Sequence, residues 1–212
     1  MNRRIFLTSR SSHSDAIKTL EVYLGGFKGQ SVAYIPTASN GENIYGSWKR
    51  EGVTTYNLFK SLNLKITPYV LEEEIHNNPN LISDISHNDI LYMSGGMTGY
   101  LMYWLTRTGL DIEIPNMLDK GMLYVGSSAG SMVCSPTLEV CEWFIGEEER
   151  GTKYLPGLNL VDFDFYPHFN DSQLEDIKKL YKGNNMYLVR DGESIIVEGN
   201  DINLVGKPLL IP

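Results

Sequence analysis

The residues Gly126-Ser127-Ser128-Ala129-Gly130 fit the pattern Gly-x-Ser-x-Gly. On a sharp strand-to-helix turn, this pattern presents a nucleophilic serine. Met122-Leu123-Tyr124-Val125 reads as a buried strand running into it, and Ala129 through Val133 can begin a helix. Bulk at positions 126 and 130 would collide with neighbouring backbone, which is why both are glycine. Ser128 would then stand clear of the sheet, where free N–H groups favour developing negative charge. The same residues would also serve as a loop that merely closes a βα turn, so the chemistry depends on partners elsewhere in the chain.

A serine hydroxyl is a weak nucleophile at neutral pH and needs a base, which in turn needs an acid to orient it. Of the four histidines, His76 and His87 lie in polar stretches and are expected to face solvent. His13, in Ser11-Ser12-His13-Ser14, reads as part of a cap-forming turn after the first strand. His168 lies in the apolar, β-prone segment Phe165-Tyr166-Pro167-His168-Phe169, where a polar ring must find a partner. A satisfied core histidine would account for it equally well. Among acids, Asp162 and Asp164 are close in sequence to His168, and Glu142 follows the elbow helix. Asp191, in Arg190-Asp191-Gly192-Glu193, sits on a turn rigid enough to aim a carboxylate, although turn chemistry alone also explains Asp-Gly. Finally, Ser94-Gly95-Gly96-Met97-Thr98 follows a strand ending at Met93. Its glycines allow close backbone approach to a ligand, for phosphate binding or as an oxyanion hole. It carries neither Gly-x-Gly-x-x-Gly nor a Walker pattern.

The elements that must position these groups alternate apolar runs with helical patterns, the signature of βα units around a mostly parallel sheet. Strands are expected at Arg4–Leu7, Val32–Ile35, Ile66–Val70, Ile90–Met93 and Leu123–Val125. Helices are expected over Ala16–Leu24, capped by Ser14 and Asp15 and stopped at Gly25-Gly26, and over Trp48–Leu62 and Gly99–Thr106. Tyr100, Leu101, Tyr103, Trp104 and Leu105 at helical spacing read as a face packed on the sheet. A Ser172/Glu175 capping box would start a helix through Tyr181. Tyr187–Arg190, Ser194–Glu198 and Asn203–Val205 then read as antiparallel strands added to the main sheet. The expected fold is α/β: a single domain over residues 1–212, with a mostly parallel central sheet flanked by helices.

The 212 residues suffice for one good core, and 42% hydrophobic with 21% charged residues is ordinary globular composition. A formal charge of −8 repels a phosphate backbone, so no nucleic-acid partner is expected. The run Glu147-Glu148-Glu149 reads as a solvated loop face and no metal is assigned. After Met1-Asn2-Arg3-Arg4, the apolar run Ile5-Phe6-Leu7 is shorter than the roughly 7–15 residues of a signal peptide core. No stretch approaches the ~20 apolar residues of a membrane helix. A cytoplasmic location follows as the expectation, with Cys134 and Cys141 as small buried hydrophobes.

Taken in order, Ser94–Thr98, Gly126–Gly130, Pro167-His168-Phe169 and Asp191-Gly192 resemble the aspartyl dipeptidase (peptidase E) family of serine peptidases. That family shares the fold of class I glutamine amidotransferases, and the resemblance spans nearly the whole chain. It implies Ser128 as nucleophile, His168 as general base and then acid, Asp191 as the orienting group, and the N–H groups of Gly96 and Ala129 as an oxyanion hole beside Gly95. It implies an acyl-enzyme route on small peptides, among them dipeptides with an N-terminal acidic residue, without a cofactor. A homodimer is compatible with this reading. Met97 stands where the family has asparagine, and the family's aspartate after the elbow helix and its arginine-bearing segment have no clean counterpart here. Arg150 and Arg190 are the cations available to hold a substrate carboxylate. An esterase or amidase using the same groups, and a catalytically silent binding protein on the same fold, are the alternatives.

Overall fold

Along each central strand the side chains alternate between two buried clusters, because successive residues of a β-strand point to opposite faces. Ile5, Leu7, Ala33, Ile35, Leu91, Met93 and Tyr124 face one cluster. Phe6, Val32, Tyr34, Ile90, Tyr92, Leu123 and Val125 face the other. Burial on both faces demands helices on both sides, as parallel sheets generally require. The computed structural model describes residues 3–42, 44–52, 54–183 and 185–212.

Strand β1 (Arg4–Thr8) is followed by α1 (Ser14–Tyr23), β2 (Ser31–Ile35), the single turn α2 (Thr37–Asn40), α3 (Thr55–Ser61) and β3 (Lys65–Pro68). Helices α4 (Leu71–Asn77) and α5 (Leu81–Ser86) precede β4 (Ile90–Met93), and α6 (Thr98–Thr108) and α7 (Leu110–Asp119) precede β5 (Leu123–Ser127). The last third holds α8 (Ala129–Met132), α9 (Glu139–Glu142), β6 (Asp164–Tyr166), α10 (Leu174–Leu180), β7 (Met186–Leu188), β8 (Ser194–Glu198), β9 (Asp201–Val205) and β10 (Leu209–Ile211).

The main sheet runs β3-β2-β4-β5-β1-β8-β9. Its first five strands are parallel, and β8 and β9 add antiparallel at the β1 edge. Helices α4 to α7 cover one face through Leu71, Ile85, Leu101, Leu105, Leu110 and Ile114. The other face is closed by Leu20 of α1, Phe59 of α3 and an aromatic stack in which the Tyr34 and Tyr92 rings lie 4.7 Å apart. The carboxyl ends of β1, β4 and β5 therefore lie side by side, the place where α/β sheets bind ligands.

Several expectations are corrected. Tyr187–Arg190 does not extend the main sheet: β7 lies in a separate three-stranded sheet, parallel to β6 and antiparallel to β10. The stretch Trp48–Leu62 is not one helix. A 3-10 turn at Ser47–Lys49 is followed by α3 from Thr55, with Val53 outside the described residues. Met1 and Asn2 of the basic N-terminus also lie outside them. Helix α1 is capped by His13, whose Nδ1 accepts the Asp15 N–H at 3.3 Å, in place of Ser14 or Asp15. The capping box before α10 is made by Asn170 and Gln173, two residues earlier than Ser172 and Glu175, and it closes a 3-10 turn. On α6, Leu101 and Leu105 are buried against the sheet, but Tyr103 faces solvent. Cys134 and Cys141 are buried, and burial pushes the Cys134 thiol up to about 12. Among the described residues no helix is long and apolar enough to cross a membrane.

Leu91, fully buried on central strand β4, tests this packing. Leu91→Ala should cost about 2–5 kcal/mol of stability. Thermal or denaturant unfolding would read this as a lowered midpoint, whereas an unchanged midpoint would contradict the placement of β4 at the centre.

Candidate active site

The elbow is forced by two close approaches. A Cβ on Gly126 would lie 2.5 Å from the Gly130 carbonyl oxygen, and one on Gly130 would lie 2.2 Å from that of Met93. Neither position tolerates a side chain. Between them Ser128 adopts φ 49° and ψ −113°, a conformation that L-residues with a Cβ rarely take. Such strain costs on the order of 1–3 kcal/mol and persists only where surrounding structure holds it. Here the Ser128 N–H donates to the Thr8 carbonyl at 3.0 Å, and the Ser131 hydroxyl donates to the same oxygen at 2.9 Å. These bonds fasten the elbow to the end of β1.

His168, just beyond β6, also has positive φ, at 55°. Its Nε2 lies 3.0 Å from Ser128 Oγ and its Nδ1 2.8 Å from Asp191 Oδ1. The structure thus brings the three sequence-predicted side chains into one line, from three different elements. A carboxylate on the Nδ1 side places the imidazole proton there, which leaves Nε2 bare to accept from the serine hydroxyl. His168 is half-buried, and the other histidines stand apart: His76 and His87 are exposed, and His13 caps α1.

Asp191 occupies the turn before β8. Burial raises its carboxyl pKa, but hydrogen bonds from Ser9 and His168, with the charges of His168 and Arg10, outweigh burial and hold it below the ordinary value. Arg10 Nε lies 3.1 Å from Oδ2. Ser9 and Arg10 escaped the sequence reading. The only signal there was the hydroxyl-rich run Thr8-Ser9-Arg10-Ser11-Ser12 at the end of the first strand, a place where α/β sheets put functional groups.

The Ser94–Thr98 loop lies beside the serine. A Cβ on Gly95 would come within 3.2 Å of Ser128 Cβ, and one on Gly96, at φ 133°, would strike the Ala38 carbonyl at 2.2 Å. Among the described residues the N–H groups of Gly96 and Ala129 donate to no backbone carbonyl.

A cleft of about 630 Å³ opens from Ser128, bordered by Glu42, Ile44, Gly96–Thr98, Phe144 and Glu147–Glu149. The acidic run is therefore not simply a solvated face. Glu149 accepts from the Thr98 and Gly99 N–H groups at 2.7 Å each, capping α6. Glu147 and Glu148 line the cleft together with Glu42, whose carboxyl is raised by burial and by the charge of Glu147. No lysine, arginine or histidine lines this cleft among the described residues. Arg190 is elsewhere, paired with Asp171 at 2.5 Å and stacked 4.8 Å from the Phe169 ring, and Arg150 is exposed outside the cleft.

A hydroxyl, an imidazole and a carboxylate in line at the carboxyl ends of parallel strands define the geometry of a serine hydrolase. Residues 5–205 match peptidase family S51, and the chain belongs to that family: it is a serine peptidase. An uncharacterized peptidase of Listeria monocytogenes, Lmo0363, is 29% identical over 209 residues, spanning 94% of this chain and 97% of that protein. A peptidase E of Nostoc is 25% identical over 98% of this chain and 87% of its own. The crystal structure of a candidate peptidase E from L. monocytogenes superposes with a TM-score of 0.73 at 28% identity, covering 99% of this chain and all of the other.

The environment of Asp191 gives a pH-dependent stability. Its folded pKa lies below the ordinary 3.8, so its contribution is complete above that value and is lost as pH falls through the folded value. The stability gap between wild type and Asp191→Asn should hold steady at neutral pH and shrink in acid below about pH 4. A gap that widens on acidification would contradict the hydrogen bonding described for this carboxylate.

Proposed function

We propose that this serine peptidase hydrolyses short peptides through Ser128, His168 and Asp191 by way of an acyl-enzyme. The observation that carries the reading is the continuous line from Ser128 Oγ to His168 Nε2, 3.0 Å, and from His168 Nδ1 to Asp191 Oδ1, 2.8 Å. In this scheme Nε2 takes the hydroxyl proton as Oγ bonds to the peptide carbonyl carbon. The resulting oxyanion is held by the N–H groups of Gly96 and Ala129. Collapse of the tetrahedral intermediate breaks the C–N bond, and Nε2 returns the proton to the departing amine. Water then attacks the acyl carbonyl, giving its proton to Nε2, and the serine is released with the carboxylate product. Asp191 holds the ring and stabilises the transient imidazolium throughout.

The cleft supports a different substrate preference from the N-terminal acidic residue expected from the sequence. Glu42, Glu147 and Glu148 border the space beside Ser128. An aspartyl side chain placed there would meet like charge, and Arg10, which lines the adjoining cavity at Ser128, is already paired with Asp191 at 3.1 Å. A peptide presenting a cation, its α-ammonium or a basic side chain, meets complementary charge instead. Met97 and Phe144 add apolar surface for the rest of the residue.

A fluorophosphonate probe should label the wild type and fail on Ser128→Ala, whose peptide turnover should fall by at least about 10³-fold. Equal labelling of both proteins would remove the assignment. On a dipeptide panel, Lys-X and Arg-X should be cleaved in preference to Asp-X. Glu42→Gln with Glu147→Gln should narrow that preference by about three- to tenfold in kcat/KM, the scale of partly exposed ion pairs. A wild-type preference for Asp-X would contradict the substrate reading and leave the nucleophile in place. Turnover of short esters without peptides would point to the esterase alternative.

A further inference from the structure

Ser9 lies one residue beyond β1, is fully buried, and makes contact with both members of the line behind the nucleophile. Its Oγ donates to Asp191 Oδ1 at 2.7 Å and accepts the backbone N–H of His168 at 2.8 Å. The same oxygen lies 3.3 Å from His168 Nδ1. We propose that Ser9 is a positioning residue of this peptidase, whose single hydroxyl locks the backbone of the general base to the carboxylate that orients it. The inference rests on the Ser128–His168–Asp191 reading.

A hydroxyl has one proton and two lone pairs. With the proton spent on Asp191 Oδ1, a lone pair is left for the His168 N–H, so neither bond can be kept if the base and the acid shift relative to one another. Two further features give this coupling consequence. His168 sits at positive φ, a conformation with a non-glycine side chain that must be held from outside, and its N–H is one of the few handles available for that purpose. Asp191 Oδ1 receives two donors, Ser9 Oγ–H and His168 Nδ1–H, while Oδ2 faces Arg10 Nε. The carboxylate is therefore fixed in orientation by three groups, two of them contributed by the end of β1. The Ser128 N–H and the Ser131 hydroxyl are bonded to the carbonyl of the preceding residue, Thr8, so the nucleophile, base and acid are all referred to one short segment of backbone.

The hydroxyl also sets the electrostatics of the pair. By donating to Oδ1 it draws negative charge away from the atom that accepts His168 Nδ1–H. Without it, the carboxylate pulls harder on that proton and favours the imidazolium in the resting enzyme, which moves the acid limb of activity to higher pH. The other charged groups facing His168 are unchanged by the substitution: Asp191 itself, Arg10 on its far oxygen, and Glu42 and Glu147 lining the same cavity.

The test compares the full-length wild type with Ser9→Ala, Ser9→Cys and Ser9→Thr, using one peptide substrate across a pH series, with Ser128→Ala as control. Ser9→Ala should lower kcat by about 10–100-fold with KM changed less than about threefold, and should shift the acid limb of kcat/KM upward. Ser9→Thr, which restores a hydroxyl, should recover most of kcat and return the limb. Ser9→Cys keeps the volume and weakens the donor, so it should follow alanine; it supplies the readout if alanine unfolds the end of β1. Wild-type kcat and an unmoved acid limb in Ser9→Ala or Ser9→Cys, with Ser128→Ala inactive, would overturn the role of Ser9 alone. A Ser128→Ala protein that still turns over peptide would instead overturn the reading on which it rests.

Discussion

A serine hydroxyl attacks a carbonyl only if its proton has somewhere to go as the bond forms, and in this molecule the hydrogen bond between Ser128 Oγ and His168 Nε2 is the contact to which the other features refer. The two residues are 40 positions apart, and each is held at positive φ. A serine with ordinary backbone angles would lie flat along the strand-to-helix turn, and a histidine in extended conformation would continue away from the sheet. The glycines at 126 and 130 permit the first distortion by removing side chains that would strike backbone within 2.5 Å. The carbonyl of Thr8 sustains it by accepting from both residues 128 and 131.

The sheet explains why these distortions fall at one place. Strands β1, β4 and β5 are neighbours, and each delivers its carboxyl end to the same edge of the sheet. From β1 come the contacts to the elbow, the histidine and the acid; from β4 comes the glycine loop; from β5 comes the serine. The antiparallel β8, next to β1, brings the turn bearing Asp191 back to that edge, and the small second sheet sets β6 so that the chain leaves it at Pro167-His168. Burial on both faces makes this frame stiff, which is what a reaction requiring alignment to a fraction of an ångström demands.

Much of this could be read from the chain alone, for identifiable reasons. Strands buried on both faces leave continuous apolar runs, so β1, β2, β4 and β5 were legible within a residue or two. The elbow was legible because its glycines answer a local steric demand. His168 and Asp191 emerged as polar groups in places where polarity requires a reason. Partners set by distant segments were not legible. Tyr187 lies in a strand by local pattern, but whether that strand joins the main sheet is decided by β6 and β10. Ser9 has no local signature, since a serine after a strand is ordinary until Asp191 and His168 arrive beside it. The acidic run at 147–149 has the composition of a solvated loop, and only tertiary contact reveals that Glu149 caps α6 while its neighbours edge the cleft. The single-helix expectation over Trp48–Leu62 failed because aromatic residues there serve the stack around Tyr34, with Trp48 and Tyr56 crossing it at different angles.

The most direct test of the central claim is a crystal structure of the enzyme after reaction with a phosphonate that mimics the tetrahedral intermediate. The account predicts a covalent bond from Ser128 Oγ to phosphorus, with the phosphonyl oxygen within hydrogen-bond distance of the Gly96 and Ala129 N–H groups and His168 Nε2 facing the leaving-group side. A phosphonate bound to any other residue, or one on Ser128 whose oxygen points away from both N–H groups, would contradict it.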